Sequence, residues 1–512
     1  MARGAGALIA RTTALALAAL TLGPVAAVLW RAGGGMPGAA DLAALRFTVL
    51  QAALSALASV VCAIPLARAL ARRRFPGRAL AISALGAPFL LPVIVAVLGL
   101  LAIFGRSGIF NTALRDLGLP QVSIFGLGGV VLAHVFLNMP LATRMILQGW
   151  QAIPAERIRL AESLGFGPAH ILRHIELPML RDVVPGAALA VFAICLTSFA
   201  VVLVLGGGPA ATTVELAIYQ AVRFEFDLAR AATLALMQVA ACGVAVALAS
   251  AFTLPSGFGA GLDRGQVLPR PGGWRRLADA AAITLAALFI GGPILAVVLR
   301  GLPGLPDLPG AVWPALGNSL LVAVLAAPMA VGGALALAMG RAQGLRGLEP
   351  LAMLPMAGSA LVLGTGLFLL VFPFVSPAAV ALPVTVIVTA VMALPFAYRI
   401  LVPEALRLVQ DHGRLAAALD LRGFAALRLL ILPRLRRPLG FALGLTAALA
   451  VGDLGVVALF AAENGATLPL VIQRLMGAYR MDAAAGAALL LVGAAFALFW
   501  ICDRWGRGGT DT

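Results

Sequence analysis

The stretch R-I-R-L-A-E-S-L-G-F-G-P-A-H-I-L-R-H-I-E-L-P-M-L-R, Arg157 to Arg181, is a charged island between long apolar runs. A related island, H-G-R-L-A-A-A-L-D-L-R-G-F-A-A-L-R-L-L-I-L-P-R-L-R, runs from His412 to Arg436. A constant offset of 255 aligns Arg159/Arg414, Leu160/Leu415, Ala161/Ala416, Leu164/Leu419, Arg173/Arg428, Leu177/Leu432, Pro178/Pro433 and Arg181/Arg436. Because further pairs on both sides keep this offset over about 90 residues, the chain contains an internal duplication.

The composition around these islands is that of a membrane protein. Of the 512 residues, 62% are hydrophobic and only 11% are charged. A soluble chain of this length cannot bury so much apolar surface. The net charge of +16 would suggest a nucleic-acid partner in a soluble protein. We exclude nucleic acid, because the arginines stand in short segments between apolar runs.

Apolar runs long enough to cross a bilayer recur along the whole chain. They predict helices rather than barrel strands, because the runs are long and do not alternate with polar residues. The twelve candidate spans are approximately 13–30, 47–67, 80–104, 124–147, 183–205, 229–253, 278–299, 315–339, 351–372, 378–398, 438–460 and 483–502.

The arginines predict the orientation of these spans. With the N-terminus in the cytoplasm, 28 of the 37 arginines fall in cytoplasmic segments. This bias agrees with the positive-inside rule and with an even number of spans, so both termini are expected to be cytoplasmic. The first apolar run resembles a signal peptide, but no clear cleavage site follows it, and we expect it to remain as the first span.

The duplication predicts two halves of six spans with the same orientation, which is a parallel repeat around a central pathway. The linker between the halves is rich in Gly, Pro and Arg. The predicted organisation is a first helix and external loop at 1–45, a first transmembrane domain at 46–253, a cytoplasmic linker at 254–277, a seventh helix and external loop at 278–314, a second transmembrane domain at 315–503, and a cytoplasmic tail at 504–512.

The first island predicts a helix–glycine–helix elbow. Pro154 can open the first helix and Gly165 can close it. Its apolar stripe fits either a helix lying on the membrane surface or a knob that docks into a groove of a cytoplasmic partner, and periodicity does not separate these alternatives. His170 and His174 have the spacing of two ligands on a helix, but no other ligand accompanies them and we expect no metal site.

The island resembles the EAA loop of importer-type ABC permeases, through Ala161, Gly165, Ile175, Leu177 and Pro178. This resemblance implies an all-α membrane protein with two tandem six-helix type I permease units, whose loops dock on an ATPase subunit. The ATPase-coupling residues carried over are Arg159, Leu160, Ala161, Gly165 and Pro178, with Arg414, Leu415, Ala416, Asp420 and Pro433. Arginine replaces the glutamate expected at 159 and 414, and Asp420 replaces the second glycine. We therefore expect a less sharp second elbow and two unequal docking contacts.

A second resemblance concerns the substrate. The stretch S-F-A-V-V-L-V-L-G-G-G-P-A-A-T-T-V-E-L-A-I-Y-Q-A, Ser198 to Ala221, and G-D-L-G-V-V-A-L-F, Gly452 to Phe460, resemble the fused permeases of bacterial thiamine and thiamine pyrophosphate uptake systems. That family implies an inner-membrane permease with a cytoplasmic ABC ATPase dimer and a periplasmic thiamine-binding protein. Fused ferric-iron permeases are the alternative. No nucleotide-binding motif is present, so we expect no enzyme activity and no cofactor in this chain.

Two polar residues within apolar runs are candidates for the substrate pathway. Asp453 is an intramembrane carboxylate, and its repeat partner is Ser198. Asp453 could supply a counter-charge or gate for a cationic substrate, or it could pair with an arginine or cap a helix break at Gly452. His134, in the fourth span, is predicted to be a packed residue or one that forms an interhelical hydrogen bond. An ion-coupled secondary transporter would require more carboxylates at this depth, which makes that class the weaker alternative.

Overall fold

A computed structural model describes residues 2–33, 35–250, 273–421, 423–461 and 465–508. All regular structure in these ranges is helical, as expected where backbone polar groups must be satisfied within each segment in lipid. The helices of the first half are α1 Ala2–Ala32, α2 Ala39–Arg72, α3 Arg78–Ala84, α4 Ala87–Leu90, α5 Val93–Phe104, α6 Ile109–Asp116, α7 Leu127–Gln151, α8 Ala155–Ser163, α9 Pro168–Ile171, α10 Leu177–Leu196, α11 Ala200–Leu205, α12 Val214–Gln220 and α13 Leu228–Ser250.

The second half repeats the pattern with fewer breaks. Its helices are α14 Trp274–Gly304, α15 Val312–Ala342, α16 Leu348–Met353, α17 Ala360–Val371, α18 Ala381–Ala418, α19 Gly423–Ala426, α20 Leu432–Val451, α21 Gly455–Phe460, α22 Leu468–Gly477 and α23 Met481–Arg507. The predicted linker at 254–277 lies outside the described residues up to 272, and so do residues 509–512 of the predicted tail.

Among the described residues, eleven helices are long and apolar enough to cross a membrane, and a twelfth candidate span is broken. The broken span consists of Leu348–Ala357 and Ala360–Val371, which meet at 88°. Gly358 and Ser359 form the break, and the Ser359 hydroxyl accepts a hydrogen bond from the Val362 amide, which caps α17. Each of the twelve predicted spans overlaps one of these elements. The predicted span 80–104 is divided among α3, α4 and α5, and the predicted span 183–205 is divided between α10 and α11.

The helices cluster into two compact units that do not follow the order of the chain. Unit 1 combines Met1–Leu42, Val214–Ala240 and Gly301–Thr512, and unit 2 combines Ala43–Thr213 with Ala241–Arg300. Helix α1 therefore packs with α15 and α17 of the second half, while most of α14 belongs with the first half. The domain boundaries at 46–253 and 315–503 stay a prediction from the sequence repeat.

The core of unit 2 continues to the first charged island. Trp150, near the end of α7, is 1% exposed and belongs to the same buried cluster as Ile158 of α8. The short helix α8 is therefore attached to the hydrophobic core through one face.

Candidate functional site

The first elbow, residues 152–177, presents one apolar face to the protein and another outward. Ile158 and Ala161 are each only 4% exposed, whereas Leu160 and Leu164 are 60% and 62% exposed. The Arg159 side chain is also exposed, and it pairs with Glu156 one helical turn earlier at 3.1 Å. An exposed pair of this kind contributes little to stability.

The turn that closes α8 depends on a left-handed residue. Gly165 has φ +68°, and the amide of Phe166 donates to the Ala161 carbonyl at 2.9 Å. This is the pattern of a helix end closed by glycine. Because glycine has no Cβ, it adopts this conformation without a steric penalty.

The second elbow, residues 407–432, contains the same turn without glycine. Asp420 has φ +46°, and the amide of Leu421 donates to the Ala416 carbonyl at 2.9 Å. The expectation of a less sharp second turn is therefore wrong. Asp is among the few residues that visit the left-handed region, because its short polar side chain can bond locally.

The two elbows differ where the chain enters them. In the first half, α7 ends at Gln151, and Pro154 stands immediately before α8. In the second half, Val409 is at the position equivalent to Pro154, and α18 runs unbroken from Ala381 to Ala418. Pro154 directly precedes α8, a position where its missing amide donor is tolerated.

Both elbows leave through a π-helical turn at equivalent positions. Leu172–Glu176 and Leu427–Ile431 are each π-helical, and each is followed by a Leu-Pro pair, Leu177-Pro178 or Leu432-Pro433. A proline ring inside a helix clashes with the carbonyl four residues earlier, and a wider turn relieves the clash. The duplicated prolines therefore set the shape of both elbows.

The coupling residues predicted from the second island share this outward exposure in part. Leu415 and Leu419 are 56% and 60% exposed, and Ala416 is half-buried. A groove of about 300 Å³ opens beside the first elbow, lined in part by Arg157, His174 and Asp182. We call the two exposed leucine pairs, Leu160/Leu164 and Leu415/Leu419, the leucine ridges of the elbows. The first ridge lies on the short helix α8 and at its end, and the second lies at the end of the long helix α18.

The predicted pathway residue Ser198 lies in a polar cluster within unit 2. His134 of α7 is 2% exposed, and its Nε2 lies 2.7 Å from the Ser198 hydroxyl. Its Nδ1 lies 3.0 Å from the hydroxyl of Ser55 in α2. The prediction that His134 bonds between helices is confirmed. Ser198 stands in the break between α10 and α11, where the backbone is released from the regular helix.

The predicted pathway residue Asp453 occupies the equivalent break between α20 and α21 in unit 1. Its Oδ2 accepts a hydrogen bond from the Thr389 hydroxyl at 3.0 Å, and its Oδ1 accepts from the Gly455 amide at 3.0 Å. Thr389 is 255 residues after His134, as Asp453 is after Ser198. Each half therefore carries a polar pair at the same point. The bond to Gly455 is the helix-break cap considered from the sequence, and the side chain is half-buried.

Sequence reasoning did not identify two buried carboxylates, Glu176 and Glu215. Glu176 is 1% exposed and lies between two arginines of α2. Glu215 of α12 is fully buried beside Ser359 and Gln238, and burial raises the pKa of its carboxyl to about 8, while those two neighbours act to lower it. A comparison of the halves could have found both, because their repeat partners are Ile431 and Leu470.

Comparison with known proteins supports the same reading of the fold. A profile of the family described as "Binding-protein-dependent transport system inner membrane component" matches residues 35–264. The thiamine transport system permease protein ThiP of Brucella suis is 40% identical over 509 residues, which cover 95% of this chain and 93% of the relative. The chain belongs to this permease family. The protein of the same name from Salmonella typhimurium is 39% identical over 472 residues, covering 90% of this chain and 88% of the relative.

Membership confirms the predicted fold class, an all-α membrane permease made of two tandem units. The Haemophilus influenzae relative, also called a thiamine transport system permease protein, is 34% identical over 472 residues, which is 88% of this chain and 87% of the relative. The permease is a multi-pass inner-membrane protein of a transport system. Its elbows and polar pairs therefore belong to a subunit of a transport system.

Proposed function

We propose that this chain is the permease subunit of an ATP-driven importer that moves thiamine or its phosphates across the inner membrane. The similarity to thiamine transport permeases along almost the whole chain carries this proposal. It favours thiamine over ferric iron, the alternative raised by the sequence. The duplicated elbows favour an ATP-driven system over an ion-coupled transporter, which has no need of paired docking knobs.

The elbows would dock on a dimer of ATPase subunits, one elbow on each subunit. Leu160 and Leu415 stand on the outward faces and would enter apolar grooves of the partner. The proposed coupling residues are those predicted from the two islands, together with the turns at Gly165 and Asp420. When ATP closes the dimer, the elbows would move together, and the two halves would change the side of the membrane to which the pathway opens.

The two polar pairs are proposed as part of the substrate pathway. Thiamine carries a fixed positive charge, and Asp453 offers the matching negative charge in an otherwise apolar helix break. Ser198 with His134 offers neutral hydrogen-bonding groups at the equivalent point of the other half.

The proposed orientation of the elbows also places the partner proteins on the two sides of the membrane. Both termini and both elbows are proposed to face the cytoplasm, in agreement with the arginine distribution. A periplasmic thiamine-binding protein would deliver substrate from the opposite side. ATP hydrolysis would take place on the partner chain, so this chain would be a translocation subunit without enzyme activity or cofactor.

A growth test examines this function in cells. A bacterium that requires thiamine and lacks its own permease subunit would be given this chain with its cognate ATPase and binding protein. We expect growth at low external thiamine, and we expect ferric iron to have no effect on the uptake of labelled thiamine. Uptake of labelled iron without uptake of thiamine would instead support a ferric-iron importer.

A further inference from the structure

Glu176, the last residue of the π-helical turn in the first elbow, is held between two arginines. Its side chain is 1% exposed, and its Oε1 accepts a hydrogen bond from Arg72 Nη2 at 2.7 Å. Arg68 Nη2 lies 2.6 Å from the other carboxylate oxygen. Both arginines belong to the last turns of α2, so the elbow is joined to the end of a membrane-spanning helix by opposite charges.

The contact continues from α2 to a third helix in unit 2. Arg73, adjacent to Arg72, donates from Nε to Asp279 Oδ2 of α14 at 2.6 Å. Asp279 and Arg72 are both largely shielded from solvent, with side-chain exposures of 11% and 6%. A shielded charge that loses its partner is strongly unfavourable, so displacement of Glu176 is opposed unless the end of α2 moves with it.

The second half lacks this carboxylate. Ile431 occupies the position of Glu176 in an otherwise equivalent π-helical turn. An aliphatic side chain can pack against a neighbouring helix, but it cannot hold an arginine by charge. The two elbows therefore have similar outward leucine ridges but different connections to the helices behind them.

We infer that Glu176 is a positioning residue that makes the first elbow the one that transmits force to α2. The inference rests on the proposed ATP-driven function, and it adds that the two elbows are connected differently to the membrane helices. Movement of the first elbow, which ends in the π-helical turn that carries Glu176, pulls on Arg68 and Arg72, and α2 follows as a rigid element. The second elbow has Ile431 in place of Glu176 and so lacks this link between a carboxylate and two arginines.

The test uses the complete transporter, reconstituted with its ATPase and binding protein, and measures thiamine transported per ATP hydrolysed. The variants are Glu176→Gln, Arg72→Gln and the double variant Arg72→Gln/Glu176→Gln. Glu404→Gln is the matched control, because Glu404 forms an exposed pair with Arg407 on α18. Protein amount and co-purification of the ATPase are measured for each variant.

We expect Glu176→Gln to keep the ATPase bound and hydrolysing ATP, and to lower transport per ATP at least fivefold. Arg72→Gln keeps the Arg68–Glu176 pair and should lower the ratio less. The double variant should be no worse than Glu176→Gln alone, because Glu176 is the residue that both arginines contact. A purely structural role would lower transport and hydrolysis together and leave their ratio unchanged.

A wild-type ratio in Glu176→Gln would overturn the inference. If a single variant is poorly produced, the double variant is measured instead, because neither member of its Glu176–Arg72 pair is charged. A wild-type ratio in the double variant would also overturn the inference. Failure of the wild-type complex to couple ATP to thiamine uptake would instead contradict the proposed function itself.

Discussion

The carbonyl oxygen of Pro24 in α1 lies so close to Gly366 in α17 that a Cβ on that glycine would be 2.3 Å away. The same arrangement occurs in unit 2, where a Cβ on Gly99 of α5 would lie 2.6 Å from the carbonyl of Pro293 in α14. Small residues allow membrane helices to approach this closely. In both cases a helix that contains a Gly-Pro pair crosses a glycine on a helix from the other half of the sequence.

These crossings predict that neither glycine accepts a methyl group. Gly366→Ala and Gly99→Ala should each lower stability by about 1–3 kcal/mol, because backbone atoms that cannot rotate aside occupy the space. The measurement is the thermal unfolding midpoint of the purified protein in detergent. Gly332→Ala in α15 is the control, since its Cβ would meet nothing within 4 Å, and there alanine should be neutral or stabilising. Unchanged midpoints for both crossing variants would contradict the close approach.

The membrane-depth carboxylate predicts a charge effect that can be separated from its capping role. Asparagine at 453 keeps an oxygen for the Gly455 amide and a polar group beside Thr389, so Asp453→Asn preserves the helix break while removing the charge. We expect thiamine uptake to fall about tenfold, with protein amount unchanged. Ser198→Ala should have a smaller effect, because it removes a neutral hydrogen bond. Normal uptake by Asp453→Asn would leave this carboxylate with a structural role alone.

Buried Glu215 predicts a pH-dependent stability. Its pKa in the folded protein is raised to about 8 by burial, so folding favours the protonated form. The stabilisation is complete below the pKa of the unfolded chain, near 4.5, and is lost as pH rises through the folded pKa. Relative to Glu215→Gln, wild type should therefore lose on the order of 1.4 kcal/mol per pH unit between these values.

The measurement for Glu215 is the thermal midpoint of both proteins from pH 5 to pH 9. The glutamine variant should be closest to wild type at the acidic end and exceed it increasingly up to pH 8. Asp307→Asn is the control for removing a carboxylate, because Asp307 is exposed. A constant difference between Glu215→Gln and wild type across this range would show that the carboxyl does not titrate as described.

The exposed leucine ridges predict a loss of partner binding without a loss of folding. Leu160→Asp and Leu415→Asp place a charge on side chains that are 60% and 56% exposed. Substitutions at such positions usually change stability by less than about 0.5 kcal/mol. The affinity for the ATPase should fall about tenfold, because an apolar groove cannot solvate the carboxylate.

Binding of the purified ATPase to immobilised permease measures this effect. Leu119→Asp is the control, since Leu119 is 51% exposed and lies in the segment after α6, away from either elbow in the sequence. Equal affinity for wild type and both ridge variants would show that the elbows do not form the docking surface.

Much of the fold could be predicted because the two halves repeat one pattern. A long apolar run in lipid has one viable conformation, and the constant offset of 255 residues pairs Ser198 with Asp453 through the sequence alone. The Leu-Pro pairs at 177–178 and 432–433 likewise mark the ends of both elbows. These features depend on local chemistry that is visible in the sequence itself.

The features that escaped prediction depend on which helices meet. The membership of α1 in unit 1 follows from the Pro24–Gly366 crossing, and such a pairing leaves no periodic pattern in the sequence. The partners of Glu176 are more than a hundred residues away on α2. The sequence prediction for the turn at Asp420 was wrong because glycine is preferred in that conformation, but aspartate is also tolerated.

The most direct test of the account is transport by the reconstituted complex. Vesicles would contain this permease and its ATPase, with ATP inside and the binding protein loaded with labelled thiamine outside. The account predicts that thiamine accumulates in the vesicles only when ATP can be hydrolysed, and that excess ferric iron leaves the rate unchanged. Accumulation that proceeds without ATP, or an absence of accumulation in an assembled complex that hydrolyses ATP, would contradict it.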